Sequence, residues 1–188
     1  MEKQEKPFLT DIKTLRERAR QNIEKGAVTQ TYQGDINTAI DILNQALATE
    51  IVCTLRYKNH YYMASGIHAQ AVAQEFLEHA NEEEMHANQI AERITQLNGK
   101  PDFSPQGLIS KSHSEYVEGN TLVEMIKEDL VAERIAIESY SEIIRYFGEK
   151  DPTSRRIMEE ILAKEEQHAE ELSNLLQTLD EPTKEKAA

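Results

Sequence analysis

Over most of this sequence apolar side chains return every three or four positions, the period of helices that bury one face. The first long stripe runs Ile36, Ile40, Leu43, Leu47, Glu50, Thr54, Tyr57 and Tyr61. The pattern turns at Ser65 and Gly66. A second stripe then follows as Val72, Phe76, His79, Glu83, His86, Ile90 and Leu97, with Gly99 and Pro101 as its stop. A third comprises Leu122, Ile126, Asp129, Glu133, Ile137, Tyr140, Ile144 and Phe147. Asn120 or Thr121 can cap it, with Glu124 nearby, and Gly148 closes it. Asp151 as cap and Pro152 at the first helical position open a fourth, with Met158, Ile161, Glu165, His168, Leu172, Leu175 and Leu179 on its inner face. Ahead of these, residues 11–26 predict a short amphipathic helix stopped by Gly26. Its Ile12, Leu15, Ala19 and Ile23 share one side, expected to dock on the surface of the fold.

Four long helices with short connections at both ends, and a stretch over 99–119 too long for a tight hairpin, predict an all-α four-helix bundle. The long stretch becomes a crossover between the second and third bundle helices. The expected organisation is an N-terminal extension over 1–34, the bundle over 35–180 and a disordered tail over 181–188.

Composition agrees with helices: seven glycines, five prolines, no tryptophan and 29% charged residues. The formal net charge of -13 repels phosphates, which argues against nucleic acid or an anionic membrane surface as a main partner and favours cations. That charge is uneven, since residues 1–34 hold seven Lys/Arg and five Asp/Glu, a sum of +2, leaving -15 on the rest. No run of about 18 apolar residues offers a membrane span. Cys53 has no cysteine to pair with, and the N-terminus lacks the apolar stretch of a secretory signal, so the cytoplasm is the expected location. A chain of 188 residues can bury a sizeable core unaided, so stability alone does not demand a metal.

The chemistry comes from polar residues where the pattern asks for apolar ones. Glu50, Glu83, His86, Glu133, Glu165 and His168 all fall on stripes that should meet in the core. Taking an isolated carboxylate out of water costs several kcal/mol, and four close together repel, so two divalent cations are the natural counter-charge. Spacing supports this independently: 33 residues separate Glu50 from Glu83 and 32 separate Glu133 from Glu165, each second Glu opening an E-x-x-H pair. On a helix, positions i and i+3 lie on one face, so Glu83 with His86 can grip one ion and Glu165 with His168 another. A Glu from each of two helices plus E-x-x-H from each of the others is the signature of di-iron and di-manganese carboxylate bundles.

At this point the chain resembles the ferritin-like superfamily, and within it the bacterioferritins. The likeness rests on ATEIVCTLRY, EEEMHANQIAERITQLNGKP, AERIAIESY and KEEQHAEEL, and covers about residues 35–180. It implies that Glu50, Glu83, His86, Glu133, Glu165 and His168 bind two iron ions per subunit, with manganese possible. Either Glu83 and Glu133 or Glu50 and Glu165 would serve as bridges. Tyr57 falls on the tyrosine beside the metals and joins the catalytic set; Tyr140 is expected to pack there, with a hydrogen bond to a ligand carboxylate. The implied activity is oxidation of Fe2+ by O2 or H2O2, with ferric mineral stored in a homo-oligomeric cage.

Two departures qualify the likeness. Bacterioferritins hold haem through a Met directly after the first E-x-x-H Glu; here that residue is Glu84, so no haem is predicted and Met85 is expected to be a packing residue. The short fifth helix of 24-subunit ferritins is not visible in the sequence, which favours a Dps-like 12-subunit cage. The alternative function is a small di-metal oxidoreductase, a rubrerythrin-like peroxidase or manganese catalase, without storage. A DNA-coating cage finds thin support in a +2 arm. The resemblance implies a further iron near His79 in some relatives, but a core or surface histidine is the expected reading. His60, His68 and His113 have no partner at ligand spacing and are expected to be non-functional, and Cys53 to be a buried small side chain.

Overall fold

A computed structural model describes residues 10–67 and 69–180. In chain order it contains α1 (Ile12–Ala19), a 3-10 turn (Ile23–Lys25), α2 (Ile36–Met63), α3 (Ala69–Gln96), α4 (Leu108–Lys111), α5 (Leu122–Phe147) and α6 (Pro152–Asp180). The fold is all-α, with no strand among the described residues. The expected tail over 181–188, His68 and the first nine residues of the N-terminal extension lie outside the described residues.

Local chemistry sets the ends of the long helices. Asp35 accepts a hydrogen bond from the Thr38 amide at 2.7 Å and starts α2. The end of α3 is a Schellman motif: Gly99 N–H donates to the Ile94 carbonyl and Asn98 N–H to that of Thr95, both at 2.9 Å. Asn98 takes the left-handed conformation at φ 62°. Gly99 is required for closeness instead, because a Cβ there would lie 2.8 Å from Ile40. Thr121 caps α5 by accepting from the Glu124 amide, while the Glu124 carboxylate accepts from Asn120 N–H at 2.8 Å. Asp151 caps α6 by accepting from Ser154 N–H at 2.9 Å and also faces Arg93 Nη2 at 2.9 Å.

Helix α2 packs along α3 and α5 along α6. The two hairpins join through α2 against α5 and α3 against α6. The crossover lies on α2, carrying the short α4, and is pinned where Arg56 donates to Ser114 Oγ and the Glu115 carbonyl at 3.1 and 2.8 Å. Two apolar clusters fill the bundle. One contains Leu43, Leu47, Ile90, Ile94, Phe147 and Ile161; the other contains Val72, Phe76, Ile126 and Leu172. Each fully buried Leu, Ile or Phe contributes roughly 1.5–3 kcal/mol, so these clusters supply stability that the polar residues of the core cannot. No helix among the described residues is long and apolar enough to cross a membrane.

Two expectations are corrected. The N-terminal helix ends at Ala19 rather than Gly26 and buries none of its residues, leaving Ile12 65% and Leu15 43% exposed. The extension is instead held by Val28 and Tyr32, which pack on the apolar core, and by Tyr32 Oη donating to Asp151 Oδ2 at 2.9 Å. Met85, expected to be a packing residue, is 55% exposed. Two residues past Glu83 it lies about 200° further round the helix, on the face turned from the core.

Candidate metal centre

All six stripe carboxylates and imidazoles are buried, and four helices bring them to one place: Glu50 from α2, Glu83 and His86 from α3, Glu133 from α5, Glu165 and His168 from α6. Their ligand atoms form two overlapping groups. Glu50, Glu83, His86 and Glu165 make one and Glu83, Glu133, Glu165 and His168 the other, with the atoms of each group within 4.8 Å of one another. Glu83 and Glu165 belong to both. Neither bridging pair left open by the sequence is therefore the one that stands between the groups. The shared pair is the Glu of each E-x-x-H, and the lone Glu50 and Glu133 close the two ends.

Closer distances define the interior. His86 Nδ1 lies 3.0 Å from Glu165 Oε1 and 3.3 Å from Glu50 Oε2. His168 Nδ1 lies 3.3 Å from both Glu165 Oε2 and Glu83 Oε1, and 3.8 Å from Glu133 Oε1. Six buried atoms here, Glu50 Oε2, Glu83 Oε1, both Glu165 oxygens, His86 Nδ1 and His168 Nδ1, crowd within ion-pair distance of one another yet make no well-directed hydrogen bond. Buried polar atoms are almost always satisfied, so a convergent set of unsatisfied carboxylate oxygens and imidazole nitrogens fits a divalent cation by number, charge and donor type.

Charge in the metal-free state shows the same tension. Burial, then the neighbouring carboxylates Glu165, Glu50 and Glu133, push the Glu83 carboxyl well above its ordinary range. Burial and Glu165 do the same to Glu133. Burial opposes charge on His86, yet Glu165 and Glu50 hold it up to about 10; His168 is also raised, by Glu165 and Glu82 against burial.

Around the centre two tyrosines cross between the halves. Tyr57 of α2 donates to Glu133 of α5, and Tyr140 of α5 donates to Glu50 of α2. On one side lies a further chain of contacts. Glu82 Oε2 is 2.6 Å from His168 Nε2, and the His79 ring stacks on His168 with centroids 4.0 Å apart. His79 also reaches Tyr57 Oη at 3.2 Å and Glu171 Oε2 at 3.1 Å, and burial depresses it to about 4. It is a core histidine, though not an isolated one.

Sequence reasoning passed over a buried ion network next door. Arg56 Nε donates to Asp129 Oδ1 at 2.8 Å, and His60 Nδ1 lies 2.8 Å from Asp129 Oδ2. Asp129 stands one turn before Glu133 on a buried stripe, and that spacing was the available signal; nothing local marks Arg56 as its partner. Cys53 is buried as expected, its thiol pushed up to about 12 by burial. His113 packs on α2, with its Nε2 3.3 Å from Gln45 Oε1.

Known proteins carry the same arrangement of helices. Residues 40–181 match the family described as ferritin-like domain. A bacterioferritin of Desulfovibrio desulfuricans is 28% identical over 137 residues, which span 72% of this chain and 73% of that protein. A solved dodecameric thioferritin, a bacterioferritin-related protein from Bacteroides fragilis, superposes with a TM-score of 0.75 at 33% identity, covering 78% of this chain and 89% of that one. A Desulfovibrio desulfuricans bacterioferritin, solved with its diiron site in different catalytic states, gives 0.67 at 26% identity, covering 76% and 80%.

Proposed function

The chain belongs to the ferritin-like domain family, and on that premise we propose that it oxidises Fe2+ at the four-helix centre and stores the ferric product in a homo-oligomeric cage. The observation that carries the reading is the convergence of six buried carboxylate and imidazole side chains from four helices, with unsatisfied ligand atoms on five of them. The diiron site of the Desulfovibrio bacterioferritin supports iron as the ion.

Glu50 and His86 would hold one Fe2+, Glu133 and His168 the other, with Glu83 and Glu165 between them. Two such ions give up one electron each to O2 or H2O2. Tyr57 and Tyr140 fix the orientation of the two terminal carboxylates. Loading expels the protons that Glu83, Glu133, His86 and His168 retain in the metal-free state, so uptake strengthens as pH rises. The -15 charge outside residues 1–34 concentrates cations at the surface. Manganese suits the same donors. A twelve-subunit cage is the favoured assembly, by likeness to the dodecameric Bacteroides protein.

The test is iron per chain after excess Fe2+ in air, read on a sizing column. Iron far above about two per chain, travelling with a large assembly, supports storage. Two or fewer on a small oligomer refutes it and favours a di-metal oxidoreductase. Glu83→Ala with Glu165→Ala should abolish rapid oxidation, and unchanged rates would sink the centre.

A further inference from the structure

Helix α1 presents an apolar face that its own chain leaves uncovered. The face is built to last, because Asp11 caps the helix, accepting from the Thr14 amide at 3.0 Å and its hydroxyl at 2.7 Å. Ile12, Leu15 and Ala19 form a stripe at i, i+3 and i+7, the anchor spacing by which an amphipathic helix enters a groove. At 100° per residue Arg16 and Arg18 stand on either side of that stripe, and Glu17 lies opposite it.

The bundle offers a matching surface. Helices α2 and α5 leave an open groove of about 650 Å³, lined by Ile42, Ile135, Ile143 and Tyr146, with Glu138, Glu142 and one cation, Arg134, among its walls. Both carboxylates are exposed, and neither has a salt-bridge partner among the described residues.

We propose that α1 of one copy of this chain docks in the α2–α5 groove of a neighbouring copy, stripe downward, with Arg16 and Arg18 beside Glu138 and Glu142. Charge decides for a second copy. The segment over 1–34 sums to +2 and the remaining chain to -15, so a basic arm meets an acidic body on every subunit. A patch that binds a different patch on an identical chain is a heterologous contact, which builds closed assemblies when the rotation closes. The contact involves no metal ligand, so it stands or falls apart from the iron chemistry.

The experiment co-expresses two chains distinguished by an affinity tag, one carrying Leu15→Cys and the other Ile135→Cys. Cys53, buried, stays in both. After mild oxidation the expected product is a disulfide between the tagged and untagged chains, lost when Glu17→Cys replaces Leu15→Cys. A second pair, Arg16→Cys with Glu138→Cys, guards against poor disulfide geometry. No interchain link from either pair, or equal yield from Glu17→Cys, overturns the proposal. So does a link formed only within one chain that carries both substitutions, since the helix then occupies its own groove.

Discussion

Replacing Glu83 by Gln keeps the shape of the side chain and removes a charge from the middle of the centre. In the metal-free protein that charge is opposed by burial and three carboxylates, which raise the carboxyl well above its ordinary range. A raised pKa means that the folded state binds a proton the unfolded chain has released, so stability falls as pH rises from the unfolded value, roughly 4.3 for Glu, toward the folded one. His86 acts with the same sign: its contribution is fully present below roughly 6.5 and is lost as pH rises through about 10. Inside its window each such group gives a slope of about 1.4 kcal/mol per pH unit.

Glu83→Gln deletes one of these slopes. Urea unfolding of metal-free protein at fixed subunit concentration should show the variant gaining on the parent as pH rises above the ordinary Glu range, by at most about 1.4 kcal/mol for each unit of pH. Zn2+, which is redox-silent, supplies the second arm. At a free concentration of about 100 Kd it should stabilise the parent by about 2.7 kcal/mol. Glu83 faces both ion positions, so the amide weakens both, and each tenfold loss of affinity removes about 1.4 kcal/mol of that gain. A variant less stable than the parent without metal, or stabilised equally by Zn2+, would refute the reasoning.

Tyr57→Phe removes the donor to Glu133 while keeping the ring between Phe76 and His79; the Zn2+ Kd should rise about 10–100-fold with helix content unchanged, and an unaltered calorimetric titration would exclude an orienting role. Glu82→Gln weakens the contact behind His168 and should lower affinity by about tenfold at one ion position alone, visible as one of two steps in a Co2+ absorption titration; equal loss in both steps would contradict it. Asp151→Ala strands the buried Arg93 guanidinium and uncaps α6, and should cost about 3–5 kcal/mol in urea unfolding; a loss under about 1 kcal/mol would mean that water reaches the arginine.

The bundle was legible because its stripes and stops are local properties. Leu43, Leu47, Glu50 and Tyr57 repeat at helical spacing, and Asp35, Thr121, Gly148 and Asp151 act on amides or carbonyls a few residues away. The six polar residues stood out for the same reason, each occupying a place on a stripe that wants an apolar side chain. Features needing distant partners were not legible. Arg56 and Asp129 are 73 residues apart, and only the packing of α2 on α5 makes them a pair. Amphipathicity revealed the apolar face of α1 but could not say what covers it, since a stripe carries no address. Which two carboxylates stand between the ion positions depends on how α3 faces α6, which spacing along either helix does not encode.

The repeat in the sequence also shows where the two halves of the centre must differ. Written from the residue before each Glu, the copies read Glu82-Glu83-Glu84-Met85-His86 and Lys164-Glu165-Glu166-Gln167-His168. The symmetric elements, the shared Glu pair and the crossed tyrosines, come from positions alike in both halves. The first position is not alike. Glu82 reaches across to His168, whereas Lys164, its counterpart, cannot accept from an imidazole and instead pairs with Glu82 itself at 3.2 Å. One turn before each Glu the halves differ again, with His79 stacked on His168 and Ile161 packed in the apolar cluster. A carboxylate behind a ligating imidazole raises its basicity and fixes its orientation. Both departures fall around His168, whose Nε2 is held by Glu82, whereas no residue among those described holds Nε2 of His86; on the proposed reading the His168 position therefore has the better-held imidazole. The duplication that builds the centre thus leaves it with one firm end and one looser end, next to the contacts that reach the surface through Glu171.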